Sequence, residues 1–384
     1  MRRFKNKRVH LIGICGVSMA PLAEALRDKY GAIITGSDWS IDGHKAENVH
    51  GADYVIRTSA AGEDNPEVIE ARRLRLPLME RAEVWGLITR EYGNTICVAG
   101  THGKSTTTAM LAQIFIEAGR DPSVMVGATF PLINGNHRMG KSEDFIAEAD
   151  EYANSFRFFK PDIALILNIE YDHPDCYPTF EAYKSVFEAF ADSAGFVIRN
   201  YDTANIKDVT LKVPGAHNRL NAAAAAAAAE HCGIRKVDIK RALEQFTGVK
   251  RRFEYKGELN GAAFYDDYAH HPGELSATLT MAKTLPYKRV IAAFQPHTYT
   301  RTKALLGDFA VALKLADKAI LMEIYAARED NVYGISSRDL AALIPEAEFC
   351  ETLPEVKARL SELARPGDLV MTIGAGDITK VWDL

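Results

Sequence analysis

The sequence predicts an α/β chain of three consecutive units, and three observations carry that prediction. Short strand-like runs such as Arg8-Val9-His10-Leu11-Ile12, Thr95-Ile96-Cys97-Val98-Ala99 and Ile163-Ala164-Leu165-Ile166-Leu167-Asn168 alternate with helical stretches, the pattern of largely parallel sheets covered by helices. Two of the runs end in glycine-rich turns, at Gly13-Ile14-Cys15-Gly16 and Gly100–Ser105, that open directly into helices. The chain has 384 residues, enough for two to three domains of about 100–200 residues each. Turn-rich joins at Tyr92-Gly93-Asn94 and around Gly248 set the expected boundaries: 1–94, 95–248 and 249–384.

In the first unit, the strand Arg8–Ile12 is followed by Met19, Leu22, Ala23 and Leu26 at helical spacing, then by Ile33-Ile34-Thr35-Gly36-Ser37-Asp38. This is a Rossmann-like βαβ half with an acidic residue after its second strand. Its glycine fingerprint is imperfect, since Ser18 stands where a third glycine would help helix–strand packing. Tyr54-Val55-Ile56 and Leu76–Met79 read as further strands, separated by a polar helix from Pro66 to Leu74, and Ala82–Glu91 reads as a helix.

The second unit opens with Thr95–Ala99, the glycine turn and a helix over Thr106–Ala118. Phe145–Glu148 and Ile163–Asn168 are continuous apolar runs suited to central strands. Eight consecutive alanines, Ala222–Ala229, predict a helix pressed closely on the sheet, because alanine is the best helix former and has almost no side chain to hold neighbours apart. In the third unit Phe264–Asp267, Arg289–Phe294, Lys318–Met322 and Asp368–Ile373 read as strands with helices between them, a second Rossmann-like α/β unit.

Composition narrows the function. Hydrophobic residues make up 47%, charged residues 25%, and the net charge is −5, which argues against a nucleic-acid or membrane partner. Cys15, Cys97, Cys176, Cys232 and Cys350 are odd in number and lack any CxxC spacing, so neither a disulfide framework nor a zinc knuckle is expected and a cytoplasmic setting fits. No apolar stretch reaches the roughly 18–20 residues that a membrane helix needs.

The turn Gly100-Thr101-His102-Gly103-Lys104-Ser105 carries the strongest chemical signal. A strand, a glycine-rich turn, Lys-Ser and a helix form a cradle of backbone N–H groups for phosphate. There Lys104 would neutralise the terminal phosphates of ATP and Ser105 would meet Mg²⁺. The spacing departs from G-x4-GK[ST], because Val98 occupies the first glycine position.

Together with Thr106 and Thr107 this turn resembles the ATP loop of the Mur ligases, the amide-forming enzymes of peptidoglycan precursor synthesis. Four further stretches resemble that family in its order: Glu148-Ala149-Asp150-Glu151, Asn168-Ile169-Glu170-Tyr171-Asp172-His173, Gly215-Ala216-His217-Asn218-Arg219-Leu220-Asn221-Ala222, and Arg251-Arg252-Phe253-Glu254 with Asp266–Pro272. Gln295–Thr302 and Gly374–Ile378 are similar to the branch that joins L-alanine to UDP-N-acetylmuramate.

The resemblance implies an ATP-dependent ligase that activates a carboxylate as an acyl phosphate. It implies catalytic roles for Lys104, Glu148 and His173, with one Mg²⁺ on Ser105 and a second on Glu148 and His173. It implies ATP contacts from Gly100, Thr101, His102, Gly103, Lys104, Ser105, Thr106, Asn218, Arg252 and Asp267. Substrate contacts would come from Gly13, Cys15, Gly16, Ser37 and Ser59 on the sugar-nucleotide side and from Tyr268, His270 and Arg301 on the amino-acid side. A guanidinium such as Arg301 suits a free carboxylate because it can pair bidentately. Phe187 falls where sister ligases carry a modified lysine, so that modification is not expected. The quaternary expectation is a monomer or homodimer.

The chain is shorter than typical members of this branch. A helix and strand are missing after Asp38, bringing Asp42-Gly43-His44 close behind, and a small peripheral sheet is missing between Asn200-Tyr201-Asp202 and Val213-Pro214-Gly215. The first gap trims the sugar-nucleotide unit, which leaves open a ligase of the same mechanism with another acceptor or amine. A non-catalytic nucleotide-binding regulator would have no need of both metal positions. An oxidoreductase would need a better first glycine fingerprint than this one.

Overall fold

The computed structural model describes residues 2–41, 43–174, 176–327 and 329–383; Asp42 of the expected Asp42-Gly43-His44 stretch therefore lies outside the described residues. Three separate sheets, of four, six and six strands, follow one another along the chain.

The first sheet is wholly parallel. Its strands are β1 (Arg8–Ile12), β2 (Ile33–Ser37), β3 (Tyr54–Arg57) and β4 (Leu78–Glu80), in spatial order β2-β1-β3-β4. Helix α1 (Met19–Asp28) joins β1 to β2, α2 (Pro66–Arg73) joins β3 to β4, and α3 (Arg81–Thr89) leads from β4 to the second sheet. Pro66 starts α2 where a missing N–H costs nothing, and the Asn65 side chain caps it by accepting from the Glu67 N–H. β2 is an edge strand. From it the chain passes through a 3₁₀ turn (Ala46–Val49) straight into β3, without the extra helix and strand.

The second sheet runs β10-β9-β5-β8-β6-β7. Its strands are β5 (Asn94–Ala99), β6 (Ser123–Phe130), β7 (Gly135–Arg138), β8 (Asp144–Glu148), β9 (Ile163–Ile166) and β10 (Phe196–Ile198), with α4 (Lys104–Glu117), α5 (Phe180–Asp192), α6 (Ala216–His231) and α7 (Lys236–Gln245). All pairs are parallel except β6–β7 at the edge. The alanine run does form the buried helix α6, and the residues of α4 and α6 pack into one apolar core. Between β10 and α6 the described residues hold only a 3₁₀ turn (Thr203–Ile206).

The third sheet runs β11-β12-β16-β13-β14-β15. It contains β11 (Glu254–Leu259), β12 (Ala262–Asp267), β13 (Val290–Phe294), β14 (Lys318–Met322), β15 (Glu348–Cys350) and β16 (Leu369–Ile373). Around it lie α8 (Pro272–Thr284), α9 (Tyr299–Ala304), α10 (Leu306–Leu313), α11 (Ser337–Ala341) and α12 (Leu353–Leu363). Only β11 is antiparallel.

The cores show how the units join. One apolar cluster holds Leu11, Leu22 and Trp85 of the first unit together with Phe145, Phe156 and Tyr183 of the second. Gly86 is required at this seam, because a Cβ there would overlap the Phe158 carbonyl. The third unit keeps its own clusters on the two faces of its sheet. All five cysteines are free thiols. Among the described residues no helix is long and apolar enough to cross a membrane.

Candidate active site

The glycine turn joins β5 to α4, and its backbone explains its glycines. Gly100 has φ 145° and Gly103 φ 83°, conformations in which an L side chain is strained. A Cβ on Gly103 would also overlap the Asn221 amide of α6. Asn168, just beyond β9, clamps the turn from the side. Its Oδ1 accepts from the His102 N–H at 2.8 Å and its Nδ2 donates to the His102 carbonyl at 3.0 Å. The Thr101 hydroxyl donates to the Glu170 carbonyl and accepts from the Glu170 N–H, both at 2.9 Å. The turn is thus held open as a rigid loop at the N-terminus of α4.

Lys104 is the first residue of α4 and folds back over the loop. Its Nζ donates to the Gly100 carbonyl at 2.6 Å and to Glu151 at 2.9 Å. Burial opposes the charge, but Glu151, Asp150 and Glu148 more than offset it and hold the ammonium above its ordinary range. Glu151 is almost wholly buried and lies 3.5 Å from His173 Nε2. Glu148 turns toward β6, where its carboxylate accepts from the Gly127 N–H at 2.7 Å. The nearest acidic partner of His173 is therefore Glu151 rather than the expected Glu148. Burial and the neighbouring Glu151 push Asp150 up.

Lys104, Ser105, Glu148, Asp150, Glu151 and His173 line one cavity of about 570 Å³. Cys15 and Gly16 of the first unit and Arg252, Tyr268 and His270 of the third line it too. Gly13 has φ 83° and lies outside the cavity lining, with Thr58 blocking any added Cβ. Ser37 turns the other way. Its hydroxyl donates to Glu67 at 2.6 Å inside the first unit and is 4% exposed, so the expected contact from Ser37 is not available in this arrangement. Ser59 is exposed and outside the cavity lining.

A second cavity of about 290 Å³ adjoins the first across Gly103, Arg252 and Glu274. His102, Thr106, Asn218, Asn221 and Asp267 line it. Asn218 does not cap α6, whose N-cap is Gly215; its amide donates to the Pro214 carbonyl at 2.7 Å. Asp267 accepts from the Phe253 and Ala269 N–H groups at 2.7 and 2.9 Å. Burial outweighs these bonds and the nearby Arg252, and pushes its carboxyl up to about 6. Arg252 does not pair with Glu254, which takes Lys250 at 2.7 Å; it faces Glu274 at 3.6 Å.

On the amino-acid side the structure differs from expectation in one respect. Arg301 does not present an unpaired guanidinium. It grips Asp172 of the second unit at 3.0 and 3.3 Å, with both side chains nearly buried. His270 is held neutral, pushed down to about 3 chiefly by burial. Sequence reading passed over Asn168, Glu151, Asn221 and Glu274. Asn168, Glu151 and Asn221 stood inside quoted motifs, but their partners His102, Lys104 and Gly103 are remote in sequence, and Glu274 meets His102 of another unit; local spacing marks neither.

The arrangement can seat a triphosphate on the loop, and it gathers oxygen donors around the site of its terminal phosphate. Glu148, Asp150 and Glu151 are among the five carboxylates that line this cavity, beside Lys104 and His173, and burial, with the neighbouring Glu151 adding to it, raises Asp150. Such a donor set fits a hard divalent cation such as Mg²⁺.

Comparison with known proteins agrees with this geometry. Residues 8–92 match the model of the Mur ligase family catalytic domain, 98–210 the Mur ligase middle domain, and 251–376 the Mur ligase glutamate ligase domain. The UDP-N-acetylmuramate–L-alanine ligase of Caldanaerobacter subterraneus is 40% identical, with 98% of this chain and 96% of the relative covered. That of Caldicellulosiruptor bescii is 37% identical, with 97% of each covered. These alignments span 445 and 441 positions, so the relatives carry several dozen residues that this chain lacks. Among solved structures, the UDP-N-acetylmuramate–alanine ligase of Thermotoga maritima matches with a TM-score of 0.81 at 29% identity, covering 98% of this chain and 97% of that one. A murein peptide ligase from Psychrobacter arcticus shares the fold with a TM-score of 0.69 at 23% identity over 98% and 97%. Three family models in order and full-length relatives of this identity make the chain a member of the Mur ligase family.

Proposed function

We propose that the chain joins L-alanine to the carboxylate of UDP-N-acetylmuramate, using ATP, in the cytoplasmic synthesis of peptidoglycan precursors. One observation carries the reading. A single cavity is walled by the phosphate loop, by the acidic cluster with His173, by the Cys15–Gly16 turn of the first unit and by Tyr268 and His270 of the third. A three-substrate ligase needs such a meeting point. The units would divide as 1–94 for the sugar nucleotide, 95–248 for ATP and 249–384 for the amino acid.

In the first step the substrate carboxylate attacks the γ-phosphorus of ATP, and ADP leaves. In the second, the amine attacks the acyl carbon, the C–N bond forms, phosphate departs with the C–O electrons, and the nitrogen loses a proton. Lys104 and the loop N–H groups stabilise charge on the transferring phosphoryl group. To do so Lys104 exchanges Glu151 for phosphate oxygens. Arg252 adds a cation, and Asn218 and Asp267 hold the adenosine. Two Mg²⁺ ions, one at Ser105 and one at Glu148 with His173, would neutralise phosphate charge.

The test is phosphate release with ATP, Mg²⁺ and UDP-N-acetylmuramate across a panel of amino acids. Turnover that requires L-alanine is the expected result. Phosphate release only with another acceptor or amine would sink the substrate assignment and keep the mechanism; ATP binding with no turnover on any pair would sink both.

A further inference from the structure

Glu274 sits in the first turn of α8, where the helix dipole favours a carboxylate, and its side chain is 10% exposed. It borders both cavities. One carboxylate oxygen faces the phosphate loop: Oε1 lies 3.4 Å from His102 Nδ1 and 3.6 Å from Arg252. The other faces the amino-acid side: Oε2 accepts from the His270 N–H at 3.1 Å and lies 3.3 Å from His270 Nδ1.

The partners of His270 settle its tautomer. Nδ1 contacts the Tyr268 carbonyl at 3.1 Å as well as Glu274. Both partners only accept, so Nδ1 carries the hydrogen and a neutral ring keeps its lone pair on Nε2. His270 lines the reaction cavity beside Lys104 and His173. An Nε2 lone pair there is an acceptor for an amine N–H.

We propose that Glu274 is a positioning residue of the ligase reaction: it locks His270 in the Nδ1–H tautomer that receives the incoming amine, and ties that histidine to His102 of the phosphate loop. This rests on the amino-acid ligase reading above. One carboxylate, contributed by the third unit, then makes the amine site depend on docking against the nucleotide loop.

The test uses Glu274→Gln and Glu274→Asp. Gln keeps the size but offers an amide N–H that competes for Nδ1, and Asp keeps the charge in the helix turn but is one methylene too short. With whichever amino acid the wild type uses, both variants are expected to raise the amino-acid KM by about tenfold or more. The melting temperature should stay near wild type, and any change in the Kd for ADP should be smaller than the change in amino-acid KM. Ring nitrogen NMR shifts of His270, assigned against His270→Gln, should report the Nδ1–H form in wild type and its loss in Glu274→Gln. An unchanged KM, a loss that follows ADP affinity or melting temperature, or an unaltered His270 tautomer would each overturn the proposal. The NMR readout requires no turnover. A wild type inert to every amino acid but showing this tautomer change would therefore count against the ligase reading, not against the role of Glu274 on His270.

Discussion

At the level of single residues, two buried ion clusters do different work. Lys104 is surrounded by Glu148, Asp150 and Glu151, a concentration of charge that costs stability unless it serves a ligand. Lys104→Ala is expected to reduce ATP-dependent phosphate release by at least ~100-fold while the protein stays folded; near-wild-type turnover would refute the phosphate assignment. Glu67 is a purely structural counterpart. It is fully buried in the first unit and accepts from Ser37, Asn48 and His44 at 2.6 to 2.8 Å. Burial alone would raise its carboxyl, but bonds from His10, Ser37, Asn48 and His44 outweigh it and lower it to about 2. A depressed carboxyl stabilises the fold above the unfolded value of about 4.5, and that contribution is lost as pH falls toward 2. It amounts to roughly 3 kcal/mol. Urea unfolding of Glu67→Gln should therefore show a deficit against wild type at pH 6 that shrinks steadily below pH 4.5. A deficit independent of pH would show that Glu67 acts through shape alone.

Among the elements, the parallel core strands were legible because they are buried on both faces. Ile96–Ala99 and Ile163–Ile166 are unbroken apolar runs on neighbouring strands of the second sheet. The antiparallel edges were not legible. Glu254-Tyr255-Lys256-Gly257-Glu258-Leu259 forms β11 with half its residues exposed, and Gly135–Arg138 forms β7 with none fully buried. Such strands are made by a neighbour's free edge rather than by their own pattern. Helix α4 begins at Lys104, two residues before the expected Thr106, because the phosphate turn itself supplies its first residues. The motif residues were readable by type and order, whereas the partnerships of Asp172 with Arg301 and of Glu274 with His102 form only where the units meet. The glycine turn offers a sharp element-level test. Gly103→Ala must adopt a positive φ and push aside Asn221. Backbone strain of this kind costs about 1–3 kcal/mol; a loop that relaxes to escape it must be strained again to bind, so nucleotide affinity should fall at least ~10-fold, and global stability should fall by no more than that strain. Unchanged affinity would mean that the loop is softer than its clamps indicate.

Across the whole molecule, the three units are not joined alike. The first and second share an apolar core through Trp85, Phe145 and Phe156, whereas the contacts of the third with the second at the site include the ion pairs Asp172–Arg301 and His102–Glu274, the His102–His271 ring contact and the approach of His271 to the Tyr171 carbonyl. An apolar seam resists opening, and a seam of a few ion pairs can be exchanged for ligand contacts, so the third unit is the one expected to move when substrates enter. In this arrangement Asp172 holds the guanidinium that the amino-acid reading gives to a substrate carboxylate. Asp172→Asn leaves Arg301 buried with a weaker partner, a change that costs about 3–5 kcal/mol when a buried pair is broken outright. The cost falls on docking rather than on either core. Amide hydrogen exchange should therefore speed up in α9 and in the segment around Asp172 to His173, by roughly 100-fold or more, while β1, α3 and β5 keep wild-type rates. Small-angle scattering of the same variant should show a larger radius of gyration that contracts again when nucleotide and both other substrates are bound. Faster exchange spread equally through the first unit would mean that the molecule opens as a whole, and the distinction between an apolar and an ionic seam would then have no consequence for its motion.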